Sequence, residues 1–369
     1  MCIMACLPLS AQRMTDTETH SKYIMAVDEY RPAPGQFVNE LPVATAEDTP
    51  ATMAQRCTDV LKANALKVAN GQNLENSEGN DDDYDASYLI TLGAYGGYIT
   101  FHFDHSLANI PGQRDLLIWG NSNKSMLTTL DGGGSEPGIV MVSKDVNGNG
   151  LPDDPWYELA GSADVDSVGK MDYQYQITYT KDAMRNIPWT DSKGQSGYVY
   201  RLGFHQQEYY PLWLPETLAF GGTLLPPNGV DVSGAGVNWV RLFLRYGYVD
   251  DHPNDDGDSS HFDFDWAVDE NRQPVSIDFV DFVRVYTAVN QACGWMGETS
   301  TEIAHVEDLH LDESIAAILE ATAAVGSIRA AQPAVCDHYA VDGRRLSSPR
   351  HGLNILRMED GTVKKIYIQ

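Results

Sequence analysis

Oxygen donors on alternate residues mark one short stretch of the chain as a place where a hard cation would sit. In Asp145-Val-Asn147-Gly-Asn149-Gly150-Leu-Pro-Asp153-Asp154, side chains at positions one, three and five carry oxygen, and Asp153 stands at position nine. Gly150, at position six, allows the sharp backbone turn that lets such ligands converge on one Ca²⁺. Position twelve departs from the EF-hand pattern: a bidentate Glu belongs there, and this chain has Trp156, with Glu158 two residues further on. The run before the loop is strand-like, which argues against a helix–loop–helix. The expectation is a calcium loop of a different kind, joining two strands and holding a structural Ca²⁺ through Asp145, Asn147, Asn149 and Asp153. The alternative is an Asx-rich turn whose side chains cap their own backbone.

A second set of residues points to ligand binding. One long loop carries Trp189, His205, Tyr209, Tyr210 and Trp213; another, Tyr246–Asp269, mixes Tyr248 and Trp266 with Asp250, Asp251, Asp255, Asp256, Asp258, Asp263 and Asp265. Any one of these rings is as readily a core residue. As a set, Trp189, Tyr209, Tyr210, Trp213, Tyr248, Trp266 and Trp295 predict a site for a flat, amphipathic ligand, because rings beside polar loop residues suit such a guest.

The catalytic signatures are missing: the sequence has no HExxH, no GxSxG and no P-loop. Asp263 and Asp265 have the spacing of a carboxylate pair that could act on a glycosidic bond. Asp-x-Asp on a loop is more often a cation ligand or a solvated turn, so the expectation is a protein that binds without catalysing. His102 and His105 could hold a metal, yet a histidine beside aromatics in a strand is usually a satisfied structural residue.

The composition narrows the partners. The formal charge of −27 over 369 residues repels phosphate backbones and anionic lipid, which disfavours nucleic acid and membrane surfaces. From Glu320 to Gln369 there are seven Lys plus Arg against five Asp plus Glu, a balance of +2, so the tail is a separate piece. Five cysteines, Cys2, Cys6, Cys57, Cys293 and Cys336, make neither a disulfide framework nor a zinc site. Cys57 and Cys293 read most simply as small buried apolar residues. No run approaches the length of a membrane-spanning helix. The apolar start, MCIMACLPLSAQ, reads as the remnant of a secretory signal without its basic region.

The elements that must position these residues are mostly strands. Gly97–Phe103, Asp115–Gly120, Gly138–Ser143, Tyr173–Thr180, Gly197–Phe204, Trp239–Tyr246 and Phe279–Thr287 have strand character, bounded by Gly, Pro, Asn and Asp. In the last, Val280, Phe282, Arg284 and Tyr286 alternate with Phe279, Asp281, Val283 and Val285. The fold class predicted is mainly β, an antiparallel β-sandwich of jelly-roll or galactose-binding-like type with long loops. The expected organisation is a signal remnant over 1–12, an arm and helix over 13–85, the sandwich over 86–311, a linker over 312–335 and a small β module over 336–369. Thr49 as N-cap and Pro50 at the first position start the helix, with Met53, Cys57, Val60 and Leu61 on one face. A charged loop over Glu75–Asp85, a helical segment over Asp312–Ala324 and three tail strands with turns at Asp342-Gly343, Pro349–Gly352 and Asp360-Gly361 complete the reading.

Two resemblances follow from longer phrases. The tail segments "DGRRL", "GLNILRM" and "DGTVKKIYI" resemble the C-terminal sorting module of the type IX secretion system of Bacteroidota. That implies passage across the outer membrane. From Val27 to Leu311 the chain is similar to a family of Bacteroidota surface proteins through "PAPGQFVNELP", "LGAYGGYITFHFDHSLAN", "SEPGIVMVSKDVNGNGLPDDPWYELAGS", "YYPLW", "DFDWAVDENRQPV" and "FVRVYTAVNQACGWMGETSTEI". The association is with corrinoid-binding surface proteins encoded beside vitamin B12 receptors. It implies capture of cobalamin outside the cell, with an outer-membrane transporter as a possible partner. A glycan is the alternative ligand, since galactose-binding-like sandwiches share the fold type, a structural calcium and aromatic platforms.

Overall fold

The computed structural model describes residues 20–74, 86–126, 128–182, 186–312, 335–340, 344–358 and 363–368. The expected signal remnant, the Glu75–Asp85 loop, the turns at 342–343 and 360–361, and nearly all of the 312–324 helix and the linker lie outside these residues. The described chain is mainly β and antiparallel, as its alternation predicts, and forms a sandwich with no closed barrel.

The central layer is a six-stranded sheet in the order Ala26–Arg31, Tyr98–Ala108, Phe279–Thr287, Gly138–Ser143, Trp156–Leu159, Ala267–Val268. Its side chains divide by alternation. Ile99, Phe101, Val140, Val142, Val283 and Val285 face one core. There they meet Met53, Cys57 and Leu61 of the helix Pro50–Ala69, together with Leu116, Ile118, Phe262 and Val306 from a small three-stranded sheet. Ile139 and Tyr286 face the opposite core. There they meet Tyr175, Ile177, Tyr179, Leu218 and Phe220 of a four-stranded sheet ordered Ser196–Val199, Ile187–Asp191, Asp172–Thr180, Thr217–Leu224.

Thr49 caps the helix through the Thr52 N–H, and the Thr52 hydroxyl accepts from the Thr49 N–H at 2.9 Å, so two of the orphan donors at the helix start are satisfied. The arm before the helix is not a separate unit. Ala26–Arg31 is the edge strand of the central sheet, paired with Tyr98–His102, so the boundary expected at 85/86 falls inside one packed body. Cys57 and Cys293 are both buried and unpaired.

A register shift between Val280 and Phe282 moves the core face from even to odd residues within Phe279–Thr287. Strict alternation, as expected for this strand, therefore fails at Asp281. The residue at the bulge has a use: its carboxylate accepts the Asp145 N–H at 2.7 Å and the Ser106 hydroxyl, anchoring the start of the acidic loop.

The tail is a second unit by itself. It is a four-stranded antiparallel sheet ordered Arg345–Leu346, Val335–Tyr339, Gly352–Met358, Val363–Ile368, one strand more than the sequence predicts. Among the described residues no helix is long and apolar enough to cross a membrane.

Candidate functional site

A cleft of about 270 Å³ opens where the two large sheets meet. The central sheet contributes Met141, Trp156 and Glu158; the four-stranded sheet contributes Tyr173–Gln176 and Gly221–Thr223; the turn Val268–Arg272 closes one side. Its polar centre is Glu158, whose carboxylate accepts from the Tyr286 hydroxyl at 2.6 Å, the Thr223 hydroxyl at 2.7 Å and Arg272 Nη1 at 2.5 Å. Gly222 makes room for this arrangement, since a Cβ there would lie 2.8 Å from Tyr286 Cζ and Oη. Burial, with the Glu158 charge beside it, pushes the Tyr286 phenol well up, so the hydroxyl stays a donor.

Arg272 ties the turn to both sheets. Its Nε and Nη2 fork onto Asp164 while Nη1 reaches Glu158, and its guanidinium lies 5.0 Å from the Tyr173 ring. Burial works against that charge, but Asp164 and Glu158 outweigh it and the pKa is raised. Arg272 has φ +59° and Gln174 φ +56°, so two of the four described non-glycine residues in the left-handed region line this cleft. Such a conformation costs on the order of 1 kcal/mol and persists where the surroundings impose it. At Arg272 the imposing contacts are visible: Asp269 accepts the Asn271 and Gln273 N–H groups at 2.8 Å each and fixes the turn.

Trp156 links the cleft to the acidic loop. Its indole Nε1 donates to Pro152 O at 3.3 Å, and Arg284 is held between the Trp156 and Tyr98 rings at 4.5 and 4.4 Å. Within the loop, Asp145 Oδ1 accepts from the Gly148 and Asn149 N–H groups and Oδ2 from Gly150, at 2.7, 3.1 and 2.8 Å. Asn147 Oδ1 and Asn149 Oδ1 accept the Asn149 and Leu151 N–H groups at 3.0 and 2.8 Å. The side-chain amides of Asn147 and Asn149 both meet Asp153 at 3.0 to 3.2 Å. The four expected ligands are thus close together. An Asx-turn network closes the loop, with Asp145 Oδ1 and Asp153 Oδ1 each accepting two N–H groups, while two carboxylates with two amides are the donor set of Ca²⁺.

The seven rings expected to share a ligand site are not brought together. Tyr209, Tyr210 and Tyr248 are core residues, at most 2% exposed. Their hydroxyls are committed, with Tyr209 accepting the Leu202 N–H, Tyr210 donating to Pro215 O and Tyr248 accepting the Ala163 N–H. Trp189 packs on the second core and Trp213 stacks on Tyr30 with ring centroids 5.9 Å apart. Trp266 lies under Arg114 at 4.4 Å. Trp295 alone among the seven is widely exposed, its indole donating to Val237 O at 2.8 Å. Expecting these rings at a common site is corrected on this point: loop aromatics here fill gaps between sheets and loops. The cleft instead uses Trp156 and Tyr173, and the signal for them was local, in Trp156-Tyr-Glu158 and the alternation of Tyr173, Tyr175, Ile177 and Tyr179.

The aspartates of Tyr246–Asp269 are also partly structural. Asp250, at φ +57°, accepts the Asn121, Ser122 and Glu302 N–H groups at 2.7 to 2.9 Å and lies beside Glu302 and Glu136. Arg241 pairs with Glu136 at 2.9 Å. Asp263 caps its own turn through the Asp265 N–H at 2.9 Å and pairs with Arg114 at 3.0 Å, while Asp265 accepts from Asn109 and Gly112 at 3.0 Å each. Both oxygens of Asp265 and both of Asp263 are engaged in local structure. His102 pairs with Asp28 at 2.9 Å and His105 with Asp104 and Asp308, so the two histidines do not share a site.

No protein-family model matches this chain, and a search of curated proteins finds no match.

Proposed function

We propose that the chain is a non-catalytic, ligand-binding protein acting at the cell surface or outside it, with the Trp156–Arg272 cleft as its binding site. The observation that carries the reading is the combination of accessible rings at Trp156 and Tyr173 with a polar network fixed before any ligand arrives. Such preorganisation favours binding because little is left to order. It disfavours catalysis by Glu158, whose oxygens are committed to three donors.

The resemblance to corrinoid-binding surface proteins supports cobalamin as the ligand, delivered onward to an outer-membrane transporter, and the four-stranded tail is compatible with a sorting role. A volume of about 270 Å³ accepts a peripheral amide arm or base and not a whole macrocycle, so a corrin would lie across the mouth. The same volume, with Gln174 and Gln176 among the lining, favours a second reading, a single sugar ring stacked on Trp156. Calorimetric titration with cyanocobalamin, beside a glycan array, separates them. Micromolar or tighter binding of cyanocobalamin is the expected result; glycan binding alone transfers the site to the second reading, and silence in both overturns the proposal.

We further propose that the loop of Asp145, Asn147, Asn149 and Asp153 holds a structural Ca²⁺, which would fix Trp156 at the cleft. Replacing Asp153 with Asn keeps the side-chain shape while removing one charge. The Asp153→Asn protein is expected to bind Ca²⁺ at least tenfold more weakly by calorimetry, about 1.4 kcal/mol. Equal heats for the two proteins would remove the ion.

A further inference from the structure

On the first core, away from the residues of the cleft, the N-terminal end of the described chain runs beside the strands Tyr98–Ala108 and His305–Asp308. The Asp308 N–H donates to Lys22 O at 2.8 Å, and the Ser21 N–H donates to Asp104 Oδ2 at 3.2 Å. This brings His20 against residues more than eighty positions later. His20 Nδ1 lies 3.5 Å from Asp104 Oδ1, and His105 Nδ1 lies 2.8 Å from the same oxygen. The three donor atoms are all within 4.8 Å of one another.

The other nitrogen of His105 fixes its tautomer. Nε2 is 2.9 Å from Asp308 Oδ2, and both side chains are at most 4% exposed. A buried carboxylate takes an N–H there, which leaves the Nδ1 lone pair of a neutral ring aimed at the lone pairs of Asp104. That pair calls for a cation, either a proton on Nδ1 or a metal ion held by both atoms. A single proton satisfies one imidazole, and His20 faces the same oxygen. The His20 ring, its centroid 5.5 Å from that of His105, can bring its own Nδ1 lone pair to the same point. One divalent ion satisfies all three donors, and its charge balances Asp104 and Asp308. Ligands about 2.0 Å from a tetrahedral Zn²⁺ are roughly 3.3 Å from one another, so the 3.5 Å pair is near that spacing and the 2.8 Å pair would open by about 0.5 Å on binding. Two imidazoles and one carboxylate select a borderline ion such as Zn²⁺ over Ca²⁺ or Mg²⁺. Asp308 behind His105 is the outer-shell carboxylate that typically orients a metal-binding histidine.

We propose that His20, Asp104 and His105 form a Zn²⁺ site, oriented by Asp308 and open to solvent at the fourth position, that pins the N-terminal segment to the sandwich. The site is independent of the ligand cleft and of the Ca²⁺ loop. The test uses the full chain without an affinity tag, stripped with EDTA and then dialysed. Calorimetry with ZnCl₂ should show one site per chain, and Co²⁺ should give the visible absorption of a tetrahedral centre. His20→Ala, which removes one donor outside the hydrophobic cores, should weaken Zn²⁺ at least tenfold and abolish the Co²⁺ spectrum. Asp308→Asn should weaken it by about 10- to 100-fold. Absence of a Zn²⁺ site, or Zn²⁺ heats and Co²⁺ spectra unchanged in His20→Ala, would overturn the assignment and leave only adventitious binding to an acidic surface.

Discussion

Arg272→Ala is expected to destabilise the sandwich by about 3 kcal/mol and to weaken ligand binding at the cleft by more than tenfold. The substitution removes the charged partner of Asp164 and of Glu158 at once, and with it three charge-assisted hydrogen bonds. Breaking a buried ion pair by deleting one partner costs about 3 to 5 kcal/mol. The Arg272 side chain keeps 18% of its exposure, so the lower end of that range applies. Alanine gains nothing back, because φ +59° remains strained for it. Arg272→Gly makes the same deletion while relieving the backbone, and should recover roughly 1 kcal/mol relative to Arg272→Ala. Arg272→Lys keeps the charge without the planar fork and should fall between Arg272→Ala and wild type. Urea denaturation followed by calorimetric titration reads both effects. An Arg272→Ala protein as stable as wild type would mean that the Asp164–Arg272–Glu158 network does not hold the turn in place.

Stability should rise, not fall, on mild acidification. Burial pushes the carboxyls of Asp251 and Glu298 up to about 7 and that of Asp115 up to about 6, against partial relief from their hydrogen bonds. Asp250, Glu302 and Glu136 are shifted in the same direction, by burial first and then by the charge of Glu136 at Asp250 and by the charges of Glu136 and Asp250 at Glu302. A carboxyl with a raised folded-state pKa binds protons more tightly in the native chain than in the unfolded one. Its contribution is fully present below the unfolded value near 4 and is lost as pH rises through 6 to 7. Asp48 runs the other way, its pKa lowered to about 2 by Arg56, and matters only in stronger acid. The melting temperature in EDTA should therefore be higher at pH 5.5 than at pH 8, by roughly 5 °C if the net effect is about 2 to 3 kcal/mol. A lower melting temperature at pH 5.5 would contradict protonation of the buried acids in the native state.

The fold was largely legible because alternation is a direct imprint of a two-faced sheet. The bounds of Gly138–Ser143 and Phe279–Thr287 could be read to the residue, and Thr49 with Pro50 announced the helix start. What was hidden depends on distant contacts. Thr217–Leu224 carries Gly221 and Gly222 in a strand, which weakens its local signal, and the Tyr286 ring above Gly222 explains the second of them. Ala26–Arg31 reads as an arm until its partner, seventy residues on, is placed beside it. Asp281 breaks the alternation for the sake of the Asp145 N–H, a bond across the sheet that no local pattern encodes. The aromatic loops misled for a related reason. Ring content is shared by cores and binding sites, and only burial separates Tyr209, Tyr210 and Tyr248 from Trp156 and Tyr173. In the acidic loop the convergence was legible, since the spacing brings Asp145, Asn147, Asn149 and Asp153 together.

Binding by a preformed cleft is the claim on which the rest stands, and two tryptophans separate it from the alternative most directly. Trp156 lines the cleft, whereas Trp295 is 57% exposed elsewhere on the surface. Calorimetric titration of wild type, Trp156→Ala and Trp295→Ala with cyanocobalamin, and with the sugar that scores highest on the array, decides the matter. At least tenfold weaker binding by Trp156→Ala, with Trp295→Ala matching wild type, is the expected result. Unchanged affinity in Trp156→Ala, or a loss confined to Trp295→Ala, would place the ligand outside the cleft and contradict the account.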